Sequence, residues 1–230
     1  MKTSNKLLLG IFLTIIILTT VIQVMVYAKY KRGEYVKFNR ESFNQMTTVD
    51  IPAIRFVSVK GLGSFSVKPG DKYKLEVQKQ KGSRVTYQVL NDTLIIMGDA
   101  GFAADQPEPG QRNYNPVNLY LPAVVPIRAT YSSIRLGGSA DSAGAPSYNI
   151  QLGKDTYVHV SDGKIFFNEL TLNGEQSNID LHDHITVNKL HMQLAGTRFD
   201  DKAATINDLT IMADDHSSLN ISGKNLKALK

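Results

Sequence analysis

Three aspartates, Asp162, Asp183 and Asp201, recur about one repeat apart near the ends of short β-like segments, and they are the nearest thing to a reaction centre in the chain. If those segments stack as neighbouring strands, the carboxylates lie about 5 Å apart. At that spacing they can hold a hard cation such as Ca²⁺, or work as paired acids of the kind that cleave glycosidic bonds. Lys164, His184 and Lys202 follow closely, and a solvated ladder of alternating charge explains the same pattern without any reaction. The histidines offer less: His182-Asp-His184, His191 and Asp214-Asp-His216 fall on different repeats and outward positions. A zinc site needs three or four converging ligands, and this spacing brings together a pair at most. With no Cys there is no disulfide, thiolate metal site or cysteine nucleophile. A phosphate-cradling glycine loop, a nucleophile elbow and a metalloprotease helix are all missing from the sequence. No catalytic residue, metal or cofactor is therefore assigned. The acidic corner stands as the alternative reading, a β-helical enzyme acting on envelope carbohydrate, beside a structural or envelope-sensing module.

The scaffold under these side chains is legible as a repeat. Leu170-Thr-Leu172, Leu190-His-Met192 and Leu209-Thr-Ile211 share one pattern at intervals of 20 and 19 residues, and Ile150-Gln-Leu152 stands 20 residues earlier. A unit of that length cannot bury its apolar face alone and must stack on its neighbours. Each repeat resolves into three segments with period-2 alternation, for example Ile150/Leu152, Val158/Val160 and Ile165/Phe167, which predicts coils with three flat sides. Asn168, Asn188 and Asn207 recur at the same point and are expected to stack at one corner, since Asn tolerates the left-handed backbone that a sharp corner needs. The expected fold is all-β, a single-stranded right-handed parallel β-helix of about 17–20 residues per coil, with the hand taken from the usual crossover preference. On its outer face Gln151, Thr171, His191 and Thr210 form a regular polar row, the expected contact surface for a protein or glycan partner. Lys224, Lys227 and Lys230 cluster at the last coil, where charge discourages strand addition to an open edge.

The run from Leu7 to Ala28 carries no charge and is bounded by Lys6 and Lys29. Its 22 residues reach about 33 Å as a helix, enough for a bilayer core of about 30 Å. A single-pass anchor in a bacterial inner membrane is expected, with an exported, cleaved signal as the runner-up. Lys29, Lys31, Arg32 and Lys37 outnumber the basic groups before the span and point the domain inward, but long domains translocate despite such flanks, so the domain is placed on the periplasmic side. Residues 1–98 hold 15 Lys and Arg against 6 acids, and residues 99–230 hold 11 against 15, so the basic excess lies near the bilayer. No basic stripe interleaved with aromatics accompanies it, and nucleic acid is not an expected partner. The expected organisation is a short tail (1–6), the anchor (7–28), a polar stalk (29–50) and a solenoid domain (51–230), whose strands over 51–128 lead into regular coils over 129–230. Within the leading part, Asn91-Asp92 predicts a tight hairpin, and the Gly-, Pro- and Asn-rich stretch 99–116 predicts a long loop.

Ile54-Arg-Phe-Val-Ser-Val-Lys-Gly61, Pro69-Gly-Asp71 with Tyr73-Lys-Leu-Glu-Val77, Leu90-Asn-Asp-Thr-Leu-Ile-Ile96 and Asn118-Leu-Tyr-Leu-Pro122 follow one another in a characteristic order. Together with Gly137-Gly-Ser-Ala-Asp-Ser-Ala-Gly144 they make residues 50–230 resemble the head GIN domain, a bacterial family of adhesin type frequent in Bacteroidetes. The resemblance implies a β-solenoid in the cell envelope and brings no catalytic residues with it.

Overall fold

The computed structural model describes residues 3–33, 46–78, 85–98, 116–160 and 163–230. The chain divides into two compact units, Met1–Ser42 and Phe43–Lys230. The described part of the first is one helix, α1 (Thr3–Lys31). Thr14, Thr19 and Thr20 donate their hydroxyls to carbonyls one turn back at 2.8–2.9 Å, so the polar groups inside the apolar run are satisfied within the helix itself. Leu8–Lys31 is long and apolar enough to cross a membrane, as an anchor or as a signal sequence.

The second unit is made of strands: β1 (Met46–Asp50), β2 (Phe56–Lys60), β3 (Phe65–Pro69), β4 (Lys74–Gln78), β5 (Thr86–Leu90), β6 (Thr93–Met97), β7 (Val117–Leu121), β8 (Ile127–Thr130), β9 (Ser133–Leu136), β10 (Ser147–Leu152), β11 (Tyr157–Val160), β12 (Ile165–Glu175), β13 (Asn178–Asp180), β14 (Ile185–Ala195), β15 (Arg198–Asp200), β16 (Thr205–Ala213) and β17 (Ser218–Asn220), followed by a one-turn helix α2 (Gly223–Leu226). They form an eight-stranded sheet, β16-β14-β12-β10-β8-β2-β6-β5, and a nine-stranded sheet, β1-β4-β7-β3-β9-β11-β13-β15-β17. From β10 onward the chain alternates between the two and builds a parallel β-solenoid of four coils. Alternation decides the packing: along β12 Ile165, Phe167, Leu170 and Leu172 point inward and are buried, and their counterparts Ile185, Val187, Leu190 and Met192 lie directly beside them on β14.

Three details differ from the sequence reading. The third side of one coil and the first side of the next are a single eleven-residue strand in β12 and again in β14, so each coil presents two sheets with a bend. The bend is at the asparagines. Phe167 points in, Asn168 and Glu169 both point out, Leu170 points in again, and Asn207 donates to Asn188 at 3.5 Å. The left-handed backbone lies elsewhere, at Tyr131, Asp155, Gln176 and Gly196, with φ of 52°, 52°, 50° and 56°. The asparagine bend needs no such conformation because two successive outward residues turn an otherwise extended strand.

After each left-handed corner comes a hydroxyl that points inward: Ser132, Thr156, Ser177 and Thr197, all buried. The Ser132 hydroxyl accepts the Leu62 N–H at 3.1 Å and donates to the Thr130 carbonyl at 2.9 Å. Thr197 shares a hydroxyl contact of 3.2 Å with Ser177 and donates its hydroxyl to the Ala195 carbonyl at 3.2 Å, while its backbone N–H donates to the Ser217 hydroxyl at 3.2 Å. Backbone groups that the corner would orphan are thereby paired. Gly174 packs against this column, and a Cβ there would sit 2.8 Å from the Ser177 oxygen and 2.9 Å from that of Thr197.

The second difference is coil length. Ile150 lies beside Leu172, not beside Leu170, and beside Ile127 on its other side, so the coils lengthen to 22 and 23 residues toward the start of the solenoid. The third is stacking order. β2 lies between β6 and β8, and β3 between β7 and β9, so the chain lays one coil, adds the next on one side, and then crosses to continue on the other. The leading end is closed by antiparallel strands, β5 against β6 and β1 against β4 against β7. The hairpin β5–β6 turns on Asn91 and Asp92 with φ of 48° and 59°, as its sequence predicts. The stretch 99–115 lies outside the described residues.

Candidate binding groove

The polar residues of the long strands form columns, because each outward side chain lies beside its counterpart in the next coil at the strand spacing of about 4.8 Å. One column is Arg128, Gln151, Asn173, Gln193 and Met212, in direct register through β8, β10, β12, β14 and β16. It runs along a groove of about 660 Å³, whose other wall includes Leu152, Gly153, Leu194, Ala195 and Ala213. Small residues just before each left-handed corner make the depression. Among the described residues, the side-chain amides of Gln151, Asn173 and Gln193 hydrogen-bond to nothing within the chain. The asparagines at the bend behave differently, for Asn207 is spent on Asn188, and Asn168 donates to the Ser147 hydroxyl at 3.3 Å.

Asp214 closes one end of the groove with its carboxylate already engaged. Its oxygens accept the Gly196 N–H at 3.0 and 3.2 Å and the Ser217 hydroxyl at 2.7 Å. The Gly196 amide, then the Ser217 hydroxyl, hold the group below the ordinary carboxylate range. Arg128 stands exposed at the other end.

The row expected from sequence is split by the register. Thr171, His191 and Thr210 do lie side by side, but their neighbour on β10 is Asn149, and Gln151 belongs to the groove column two residues along. The offset comes from the 22-residue coil: Ile150-Gln-Leu152 resembles Leu170-Thr-Leu172 in pattern but pairs with Leu172-Asn-Gly174. Asn173, Gln193 and Arg128 were missed for that reason. The signal available was an amide between apolar and small residues at 151, 173 and 193, which only the correct register aligns.

Among the described residues, Asp183 and Asp201 do not share a register position. Asp162 lies outside the described residues. Asp180 pairs with Asp200, so Asp201 is level with Leu181, and Asp183 sits two residues further along, exposed, with His184 at 3.4 Å. Asp201 is 2% exposed and serves as an acceptor for the C-terminal turn rather than as part of a solvated ladder. Lys202 pairs with Asp180 at 2.8 Å instead. Asp180 also accepts the Tyr157 hydroxyl at 2.6 Å, and burial, then that bond, pushes the phenol up to about 12. Beside this cluster His182 meets His159 at 3.4 Å, while His184 is exposed and His191 lies on the other sheet.

No family model matches the chain, and no curated protein sequence matches it. Among solved structures the chain is similar to a "putative adhesin" of Bacteroides fragilis, at 9% identity over 76% of this chain and 79% of that one with a TM-score of 0.49. It is also similar to a "putative cell adhesion protein" of Clostridium sporogenes, at 12% identity over 76% and 97% with a TM-score of 0.38. A "putative lipid binding protein" of Parabacteroides distasonis shares 10% identity over 74% and 78%, with a TM-score of 0.37.

Proposed function

We propose that this chain is a non-catalytic envelope protein, held at the membrane by α1, whose solenoid grips a partner along the groove of Arg128, Gln151, Asn173 and Gln193. The carrying observation is the column of amides in register that the fold leaves without partners, since polar groups set in a depression are bonded to something when the site is filled. The neighbouring column of Thr171, His191 and Thr210 borders the same face and offers secondary contacts. The resemblance of residues 50–230 to the head GIN domain supports the envelope location, and the register, which separates Asp183 from Asp201, supports a binding role over hydrolysis.

The absence of cysteine makes the test direct. Gln193→Cys places a unique thiol in the groove, and Asn178→Cys places one on the outer face of the opposite sheet. Each is treated with a membrane-impermeant thiol reagent in spheroplasts and as purified protein. The expected result is labelling of Asn178→Cys in both settings, and of Gln193→Cys only when purified. Equal labelling of both in spheroplasts shows an empty groove and overturns the binding role. Labelling of neither before lysis overturns the envelope location.

A further inference from the structure

We propose that the groove's occupant is a neutral, extended β-1,4-linked glycan lying along the solenoid axis, an inference that rests on the binding role above. The first reason is period. Successive rungs repeat at the strand spacing of about 4.8 Å, and a pyranose linked through opposite sides of its ring advances by about the same distance per residue; successive rings are turned over, but both ring edges carry hydroxyls, so each rung still meets one. An extended peptide advances about 3.3 Å per residue and turns alternate side chains to opposite faces, so it falls out of step with the ladder within two rungs.

The second reason is chemistry. Gln151, Asn173 and Gln193 each present a carbonyl acceptor and an NH₂ donor in one plane, which suits vicinal hydroxyls that both give and take hydrogen bonds. Leu194, Ala195, Ala213 and Met212 supply an apolar wall for the C–H face of the rings. An acyl chain fits badly, because it would cover the amides and leave them unbonded. A polyanion fits badly too: among the described residues Arg128 is the one cation lining the groove, against Glu175 and Asp214. Five rungs from Arg128 to Met212 span about 19 Å at the strand spacing, room for about four sugar residues.

The test uses the full-length protein in a detergent without a sugar headgroup, titrated calorimetrically with cello- and chito-oligosaccharides from disaccharide to hexasaccharide. Affinity is expected to rise to the tetrasaccharide and then level off. Gln151→Ala, Asn173→Ala and Gln193→Ala are each expected to weaken binding between about two- and tenfold, the range for one hydrogen bond. Asn178→Ala, exposed on the opposite sheet, leaves it unchanged, and all four variants keep the parent melting temperature. Absence of binding in both series overturns the proposal, as does affinity independent of length or indifferent to the three amides. If neither series binds while Gln193→Cys stays protected in spheroplasts, the occupant belongs to another class and the binding role stands. If that protection is absent as well, both fall.

Discussion

Asp201→Ala is expected to unlatch the end of the solenoid. One oxygen of Asp201 accepts the Ser222 N–H at 2.8 Å, the Ser222 hydroxyl at 2.8 Å and the Asn225 side-chain NH₂ at 2.6 Å, and the other accepts the Ala203 N–H at 2.9 Å. Asn225, itself 1% exposed, continues the network by donating to the Ala204 carbonyl at 2.8 Å and accepting the Ile206 N–H at 3.1 Å. One acceptor thus fixes α2 against the first residues of β16. Hydrogen bonds to a charged group contribute about 1.5–3 kcal/mol, and a buried donor left without a partner adds a further 1–3 kcal/mol. Ser222 can turn to water once released but Asn225 cannot, so the loss is about 3 kcal/mol. For a unit of this size that lowers the melting temperature by about 6–12 °C if unfolding is cooperative. Stability in a solenoid passes between neighbours, so the loss concentrates at the last coils. Thermal melts of the full-length protein, with hydrogen exchange resolved by segment, read both quantities. Protection should fall across Thr205–Asn220 and persist in β10 and β12, while Asp183→Ala, an exposed change, moves neither. A melting temperature within about 2 °C of the parent, with unchanged exchange in β16, would refute the latch.

Acid should loosen the same end first. Burial opposes the charge on Asp201, but donors from Asn225, Ser222 and Ala203 outweigh it and hold the carboxyl below its ordinary value. Its stabilisation is therefore complete above the unfolded value of about 3.9 and is lost as pH falls through the lower folded value; protection of β16, normalised to the intrinsic exchange rate at each pH, that stays constant down to pH 2 would contradict this. Gly174→Ala forces a methyl against the hydroxyls of Ser177 and Thr197 and should cost about 1–3 kcal/mol, seen as a lower urea midpoint at constant slope. Replacing both Asn91 and Asp92 by Ala removes the short polar side chains that make the left-handed region tolerable and should cost up to about 1 kcal/mol each, whereas Asn91→Gly should be nearly neutral; equal midpoints for the two variants would sink the turn assignment. Deleting Leu226–Lys230 removes the pairing of Leu209 with Leu229 and the 2.6 Å contact of Lys230 with Asp208, so light scattering should show aggregation through the bared edge of β16.

Sequence pattern carried the regular coils well because period and alternation both follow from burial, and Leu170, Leu190 and Leu209 do stack in one interior column. It mistook the frame of the first regular coil, since Ile150-Gln-Leu152 and Leu170-Thr-Leu172 are equally good matches to an apolar alternation, and a shift of two residues leaves the buried face unchanged. That slip hid the amide column, although each of its members was visible. The corners were misplaced for a related reason. Asn at 168, 188 and 207 advertises a turn, whereas Tyr131 and Gln176 do not look like left-handed residues, and the inward hydroxyls of Ser132 and Thr156 that bind the Thr130 and Lys154 carbonyls are recognised only once the corners are in view. The crossing of the chain from β7 to β8 depends on contacts remote in sequence and has no local signature.

The crossed stacking order bears on how the domain assembles. Val57 touches Leu94 in one neighbour and Ile127 in the other, so the earliest coil to be synthesised is an interior one, with two open edges that wait for later chain. The stack therefore extends from β2 and β3 in both directions rather than from one end alone. The contact between Val57 and Ile127 closes 70 residues where later coils close about 20, yet the added closure entropy is only about 1 kcal/mol, because that cost grows with the logarithm of length. Extra residues between β6 and β7 are cheap on the same scale. Sequence can accumulate there without disturbing the stack, while new coils can be added only beyond β16 and β17, where the strands still run parallel.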